Sequence, residues 1–395
     1  MSTSGAGTKI SEKRTRLSKQ INIFVLLTDA FGGFGGIAVY NRDVLTAMCK
    51  HPLVDEVVAI PRVAARKLEP MPQKLRYKTR AAKGIIAYMA VLARNLHKAA
   101  HSDVIYCAHI NLVPLAWMIG KLFRVPVILA IYGIDAWQPT NRRLTNWMTR
   151  KIETVVSISE YTKAKFITWS GVSSENVRLL PNAIHLEQYG ESSPSSEFIQ
   201  RFGLNGKKVI LTFGRIVSKQ RAKGFDEVLE VMPELLSDIP DIAYVIAGDG
   251  DYRPVLEEKV KRLGLTGRVI FTGFVEESEK VSLYSAADVY VMPSRGEGFG
   301  FVFLEAMACG VPCVASSVDG SRDAVRDGKL GALVDPDDKT GLKKTILEAL
   351  DKPREVPAGL EYFSFPKFTQ RLHAIIDSTV AGGSAQKMPC PRGEK

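Results

Sequence analysis

The sequence predicts an α/β protein made of two Rossmann-like, doubly wound domains facing across a cleft. Three observations carry this. Short β-branched runs alternate with amphipathic stretches along the chain. The alternation stops and restarts near residue 207. At roughly 100–200 residues per domain, 395 residues make two.

In the first half, INIFVLL (21–27), VDEVVAIP (54–61), SDVIYCAH (102–109), VPVILAIYG (125–133) and ETVVSIS (153–159) read as strands. They are rich in β-branched residues and bounded by turn residues, as buried parallel strands are. Helical patterns fill 37–50 and 83–100. In the second of these Ile85, Met89, Leu92 and Leu96 form a stripe expected to cover a sheet face. In the second half the strands are KKVILTFG (207–214), IAYVIAG (242–248), RVIFTGF (268–274), DVYVMPS (288–294) and PCVASS (312–317), with helices near 225–236, 255–263 and 303–309. The domains are therefore placed at 20–186 and 207–378. A Gly-, Ser- and Pro-bearing linker fills 187–206, and disordered tails are expected at 1–19 and 379–395. Two such sheets bind a ligand at the carboxyl ends of their strands.

Apolar residues make up 46% and charged residues 24%, an ordinary globular composition. The five cysteines are scattered and form no disulfide framework, which suits a reducing cytosol. Cys309 and Cys313 lack a second pair for zinc and read as buried small side chains. The apolar run 21–27 is too short for a signal sequence or a membrane span. A cytoplasmic protein is expected, without integral membrane segments.

The net charge of +11 is uneven. Residues 1–190 hold 26 Lys and Arg against 12 Asp and Glu; residues 191–395 hold 27 against 30. A basic half points to an anionic partner: a membrane surface, nucleic acid or a phosphorylated substrate. No nucleic-acid motif appears, so nucleic acid is set aside. Ten basic residues lie from Arg62 to Lys98, opposed there only by Glu69. Each one near an anionic bilayer contributes up to about 1 kcal/mol, so the cluster predicts peripheral attachment to a membrane.

The most informative segment is RGEGFGFVFLEAMACGVP (295–312). It places Glu297 in a Gly-rich loop after a strand and Glu305 in the helix that follows. Loop amides and a helix N-terminus make an anion site. Two carboxylates beside it are placed to accept hydrogen bonds from sugar hydroxyls.

This segment resembles the signature of glycosyltransferase family 4, retaining enzymes of the GT-B fold. FGRIVSKQRAKGFDEVLEVMPEL (213–235), VIAGDGDYRP (245–254), VIFTGFV (269–275), VRLLPNAIH (177–185) and GGFGGIA (32–38) also look familial, in order, over about 21–378. The resemblance implies that Arg215 and Lys223 neutralise a diphosphate, with Lys219 or Arg221 as competitors. It implies that Glu297 holds the hexose, and that Gly298, Phe299 and Gly300 lie near sugar and phosphates. Glu305 would grip the ribose. His109 would line the donor sugar, Asp135 the acceptor side, and Gly35 and Gly36 would let a loop approach the diphosphate. His185 stands where the family often has Asp, and is expected to be structural.

Negative charge grows on the β-phosphate as the anomeric bond breaks, and two fixed cations with helix amides stabilise it. No metal or other cofactor is then expected; the nucleotide sugar is a substrate, and the acceptor a glycan or polyprenyl-linked glycan. The GRIVSKQRAKGFDE segment looks closest to mannosyltransferases of bacterial exopolysaccharide assembly. Two rivals are weaker. Gly33, Gly35 and Ala38 match a nicotinamide-cofactor fingerprint, but the second strand ends at Pro61–Arg62 without an acid for the ribose. A non-catalytic sugar-nucleotide binder would not need Arg215, Lys223, Glu297 and Glu305 together.

Overall fold

A computed structural model describes residues 20–218 and 223–387. The chain forms two compact units. The first comprises residues to Ser157, Lys165–Leu180 and Phe368 onward; the second comprises Ile158–Ala164 and Pro181–Lys367.

The first unit contains β1 (Ile21–Leu27), α1 (Gly36–Lys50), β2 (Val54–Pro61), β3 (Leu75–Tyr77), α2 (Ile85–Arg94), α3 (Leu96–Ala100), β4 (Val104–Ala108), α4 (Val113–Phe123), β5 (Val127–Ile131), α5 (Arg143–Thr149), β6 (Thr154–Ser157) and β7 (Val177–Leu179). Helix α6 (Glu160–Ser170) begins in the second unit and ends in the first. The strands pair in parallel in the order β3-β2-β1-β4-β5-β6-β7. Phe24, Leu26, Ile105, Cys107, Leu129 and Ile131 share one face of the sheet by their alternation, and α2, α4 and α5 cover that face with Tyr88, Leu92, Val113, Ala116 and Met148.

The second unit contains α7 (Ser196–Phe202), β8 (Lys208–Phe213), α8 (Phe225–Asp238), β9 (Ile242–Ala247), α9 (Arg253–Arg262), β10 (Val269–Gly273), α10 (Lys280–Ser285), β11 (Val289–Met292), α11 (Phe301–Ala308), β12 (Cys313–Ser316), α12 (Ser321–Ala324), β13 (Ala332–Val334) and α13 (Lys339–Leu350). Its parallel sheet runs β10-β9-β8-β11-β12-β13. In both units strand order reverses beside the first strand, at β1/β4 and at β8/β11. That switch point is where an open parallel sheet leaves a crevice at its carboxyl edge.

Three features differ from the sequence expectation. The 83–100 helix is broken at Asn95, whose side-chain amide donates to the Val91 carbonyl at 2.7 Å and competes with the helical ladder. Its inward residues are Tyr88, Val91 and Leu92, whereas Ile85 and Met89 of the expected stripe are 69% and 44% exposed. Segment 187–206 is not a plain linker: it carries α7, capped by Ser195 Oγ accepting the Phe198 N–H at 3.1 Å. Finally, α14 (Phe365–Lys387) runs past the expected end of folded structure at 378. From Phe368 it packs within the first unit, where Phe368 meets the Tyr40 ring and His373 donates to the Ala47 carbonyl at 2.8 Å. The expected tail 1–19 and residues 388–395 lie outside the described residues.

Candidate active site

In the second unit the chemistry gathers on the loops that follow β8 and β11. Arg215 lies exposed just beyond β8. Its loop is pinned to the turn after β9. The Ile216 N–H donates to the Asp249 carbonyl at 3.0 Å, and Ser218 donates through N–H and hydroxyl to Asp251 at 2.8 and 2.7 Å. The contact is so close that only glycine fits: a Cβ on Gly248, whose φ is +117°, would stand 2.0 Å from the Gly214 oxygen. The glycines of VIAGDGDY thus let one loop lie on the other. Lys219 and Arg221 fall outside the described residues.

Lys223 Nζ donates to Glu297 Oε2, with both side chains about one fifth exposed. The two residues assigned from sequence to diphosphate and hexose are therefore brought together from positions 74 apart. The Glu297 loop is held by a residue that sequence reasoning passed over. Asp319, fully buried, accepts the Glu297 N–H at 2.8 Å, the Ser294 hydroxyl at 2.7 Å, and the Ser321 N–H and hydroxyl at 3.0 and 2.6 Å. Burial raises its pKa, and the hydrogen bonds oppose that rise. The carbonyl of Gly298 accepts from Ser159 Oγ at 2.6 Å. Arg295 pairs with Glu227 and with Asp337.

Gly300, at φ +90°, opens α11 with no side chain capping the helix, leaving first-turn N–H groups directed at the loop. Phe299 is 1% exposed and meets the Phe363 ring edge-on, so its side chain is core and only its backbone borders the loop. Glu305 is also not on an open surface. It is 1% exposed; Oε1 accepts from Lys280 at 2.9 Å and Tyr189 at 3.1 Å, and Oε2 accepts from Tyr284 at 2.5 Å. Burial works against the Lys280 charge, but Glu305 and Glu277 outweigh it and raise its pKa. A ribose can reach Glu305 only by displacing one of these donors. His185 stacks on Phe365 with ring centroids 4.6 Å apart.

In the first unit the corresponding loops follow β1, β4 and β5. Gly35, at φ +89°, opens α1 without a side-chain cap, and it and Gly36 are exposed. His109 follows β4. Its Nδ1 accepts the Asn111 N–H at 3.1 Å, which puts the ring proton on Nε2. Burial, then the nearby Arg62 charge, lowers its pKa, so the imidazole is a neutral Nε2–H donor. Asp135 follows β5. Its carboxyl accepts backbone N–H groups of residues 132, 133 and 135, while Oδ2 is buried without a partner. Burial pushes its pKa up to about 7.

Family comparison fits this geometry. Residues 195–362 match the model of glycosyl transferases group 1, and residues 34–188 match that of Glycosyltransferase Family 4. A GDP-mannose-dependent phosphatidylinositol monomannoside mannosyltransferase of Mycolicibacterium smegmatis is 31% identical over 62% of this chain and 67% of its own length. The chain belongs to glycosyltransferase family 4.

The transferase is also 30% identical to 2-deoxystreptamine glucosyltransferase of Streptomyces kanamyceticus, over 60% of this chain and 62% of that protein. It thus spans somewhat under two thirds to two thirds of these relatives' lengths. Among solved structures, Anabaena HepE with UDP-glucose superposes with a TM-score of 0.65 at 22% identity, covering 93% of the transferase and 100% of HepE. The lipopolysaccharide outer core galactosyltransferase WaaB gives 0.67 at 18% identity, covering 91% and 99%. The transferase has the GT-B fold of these enzymes. Among its described residues no helix is long and apolar enough to cross a membrane.

Proposed function

We propose that the transferase moves a hexose from a nucleoside-diphosphate sugar to a glycan or lipid-linked acceptor, retaining the anomeric configuration. The observation that carries this is the Lys223–Glu297 pair beside the uncapped N-terminus of α11. Lys223, Arg215 and the α11 amides take up the charge that grows on the β-phosphate as the anomeric bond breaks. Glu297, released from Lys223, accepts hexose hydroxyls. Backbone of Gly298 and Gly300 borders the sugar and phosphates, and Gly35 and Gly36 give a second backbone approach to the diphosphate. His109 donates Nε2–H toward the donor sugar, and Asp135 serves the acceptor side. With charge compensation supplied by side chains and amides, the reaction needs no divalent metal. A mannosyl donor is favoured, because two GDP-mannose-dependent relatives are 31% and 29% identical to this chain. The acceptor is lipid-linked and presented at the cytoplasmic face of an anionic membrane, in keeping with the basic first half of the chain.

The test is a panel of GDP- and UDP-hexoses incubated with the pure protein in excess EDTA, with release of nucleoside diphosphate as the readout. Release from GDP-mannose above the other donors is expected. No release from any donor, or release only after magnesium or manganese is restored, would overturn this reading.

A further inference from the structure

Four of the ten basic residues at 62–98 are engaged within the first unit. Lys98 and Arg76 pair with Glu56 at 2.7 and 3.4 Å, Lys74 donates to the carbonyls of His51 and Val54, and Arg66 lies over the Phe34 ring. A different surface combines exposed apolar bulk with charge. Helices α4 and α5 cover the sheet with Val113, Ala116, Ile119 and Met148, yet their outer sides are also apolar. Met118 is 56% exposed, Leu122 70%, Leu144 60% and Trp147 48%. A helix on a soluble domain normally turns polar residues outward, so large contiguous apolar side chains there mark a contact surface.

Two further observations say what covers it. The Trp117 and Trp147 rings meet edge-on at 5.4 Å, joining the two helices into one patch. Lys121 lies over Trp117 and Lys151 over Trp147, each 5.9 Å from the ring centroid. Lys121, Arg124, Arg142, Arg143, Arg150 and Lys151 are all exposed. From Val113 to Lys151 the sole acid is Asp135, whose carboxyl is bound to backbone N–H groups. Tryptophan beside lysine and arginine, with leucine and methionine projecting further, is the chemistry of the bilayer interface: indoles at headgroup depth, aliphatic chains below, cations on lipid phosphates.

We infer that the outer face of α4 and α5 is the membrane-docking surface of the transferase, seating Met118, Leu122, Leu144 and Trp147 in an anionic phospholipid bilayer while the surrounding cations hold the headgroups. This rests on the lipid-linked acceptor reading and gives it a location. The same sheet face carries the exposed Ile85, Ile86 and Met89 of α2, which add apolar contact.

The experiment is sedimentation of the full chain with phosphatidylglycerol–phosphatidylcholine vesicles and with pure phosphatidylcholine vesicles, at low and high salt. Two variants are compared with the parent: Leu122→Ser/Leu144→Ser/Trp147→Ser, and Lys67→Gln/Lys78→Gln/Lys83→Gln in the 62–98 cluster. Donor hydrolysis without acceptor is measured alongside; it reports folding and the donor reading independently of vesicles. Expected are binding to anionic vesicles that weakens with salt, loss of at least tenfold in the triple serine variant with hydrolysis kept, and a smaller loss in the glutamine variant. Equal binding by parent and serine variant overturns the inference, as does a larger loss in the glutamine variant. Absence of vesicle binding, with the serine substitutions instead turning a dimer into a monomer by light scattering, assigns the patch to a second copy of the chain and also overturns it.

Discussion

The carboxylate of Asp319 accepts the Glu297 N–H at 2.8 Å from a fully buried position, so a buried side chain helps to fix the loop bearing one partner of the Lys223 ion pair. Asp319 also takes two hydrogen bonds from Ser321 and one from Ser294. Each buried donor left without an acceptor costs about 1–3 kcal/mol. Asp319→Ala is therefore expected to lose about 3 kcal/mol or more of stability in urea unfolding. Glu297→Ala, removing a partly exposed side chain, should change it by less than about 1 kcal/mol. A Glu297 variant less stable than the Asp319 variant would contradict this order.

For the cations, Arg215→Ala and Lys223→Ala should each lower turnover by about two to three orders of magnitude, the scale for one group that meets a developing charge. Donor affinity should fall less than turnover. Lys223→Ala also frees Glu297 from its ion pair. Steady-state kinetics on the favoured donor decides the point: near-normal rates in both variants would remove these residues from the site.

Much of the fold is legible in the sequence, and particular residues show why. Strands such as 21–27 and 54–61 are buried on both faces, so their apolar runs mark them end to end. The three-residue β3, β7 and β13 leave no such run and were not anticipated. Gly-rich loops announced Glu297 and Gly300, because backbone approach demands a residue type that stands out. Asp319 did not stand out, since what matters is that Ser294 and Glu297, 25 and 22 positions away, converge on it. The Glu305 environment was likewise hidden: Tyr189 and Glu305 are 116 positions apart, and nothing local pairs them. The outward apolar sides of α4 and α5 were invisible because the sequence shows apolar bulk without saying which side the sheet takes.

Glu305 gives a competition that can be measured. If the ribose hydroxyls bind its carboxylate, one donor must let go, and Tyr189, which shares Oε1 with Lys280 and makes the longest of the three hydrogen bonds, is the first to do so. Tyr189→Phe removes the competing hydroxyl and keeps the ring, so it should tighten nucleoside diphosphate binding by about two- to tenfold, one modest hydrogen bond. Glu305→Ala should weaken that binding and also cost about 3 kcal/mol of stability, because it leaves Lys280 with only the exposed Glu277 and takes the acceptor from two tyrosine hydroxyls. Calorimetric titration with GDP and UDP checks both. Weaker binding in Tyr189→Phe would mean that the tyrosine holds the nucleotide rather than competing with it.

Asp135 predicts a pH dependence whose sign is fixed. Its carboxyl, pushed up to about 7 by burial, sits near 3.9 in an unfolded chain. Below about pH 4 it is protonated in both states, and its contribution to stability is fully present. As pH rises toward 7 the unfolded chain releases a proton that the folded protein keeps, so stability is lost across that window. At about 1.4 kcal/mol per unit the upper bound is about 4 kcal/mol. Asp135→Asn keeps the shape without the charge and should flatten this slope, leaving the variant more stable than the parent at pH 8. Asp319 and Asp323, whose pKa values burial also raises, contribute a background slope to both proteins, so the difference between the two curves is the quantity to read. Urea midpoints from pH 4.5 to 8 supply it. Parallel curves would show that Asp135 already carries its charge in the folded protein at acid pH. In that case the unpartnered Oδ2 must find a cation or a donor, and the acceptor side of the site would open with a fixed negative charge rather than a carboxylic acid able to donate its proton to an acceptor hydroxyl.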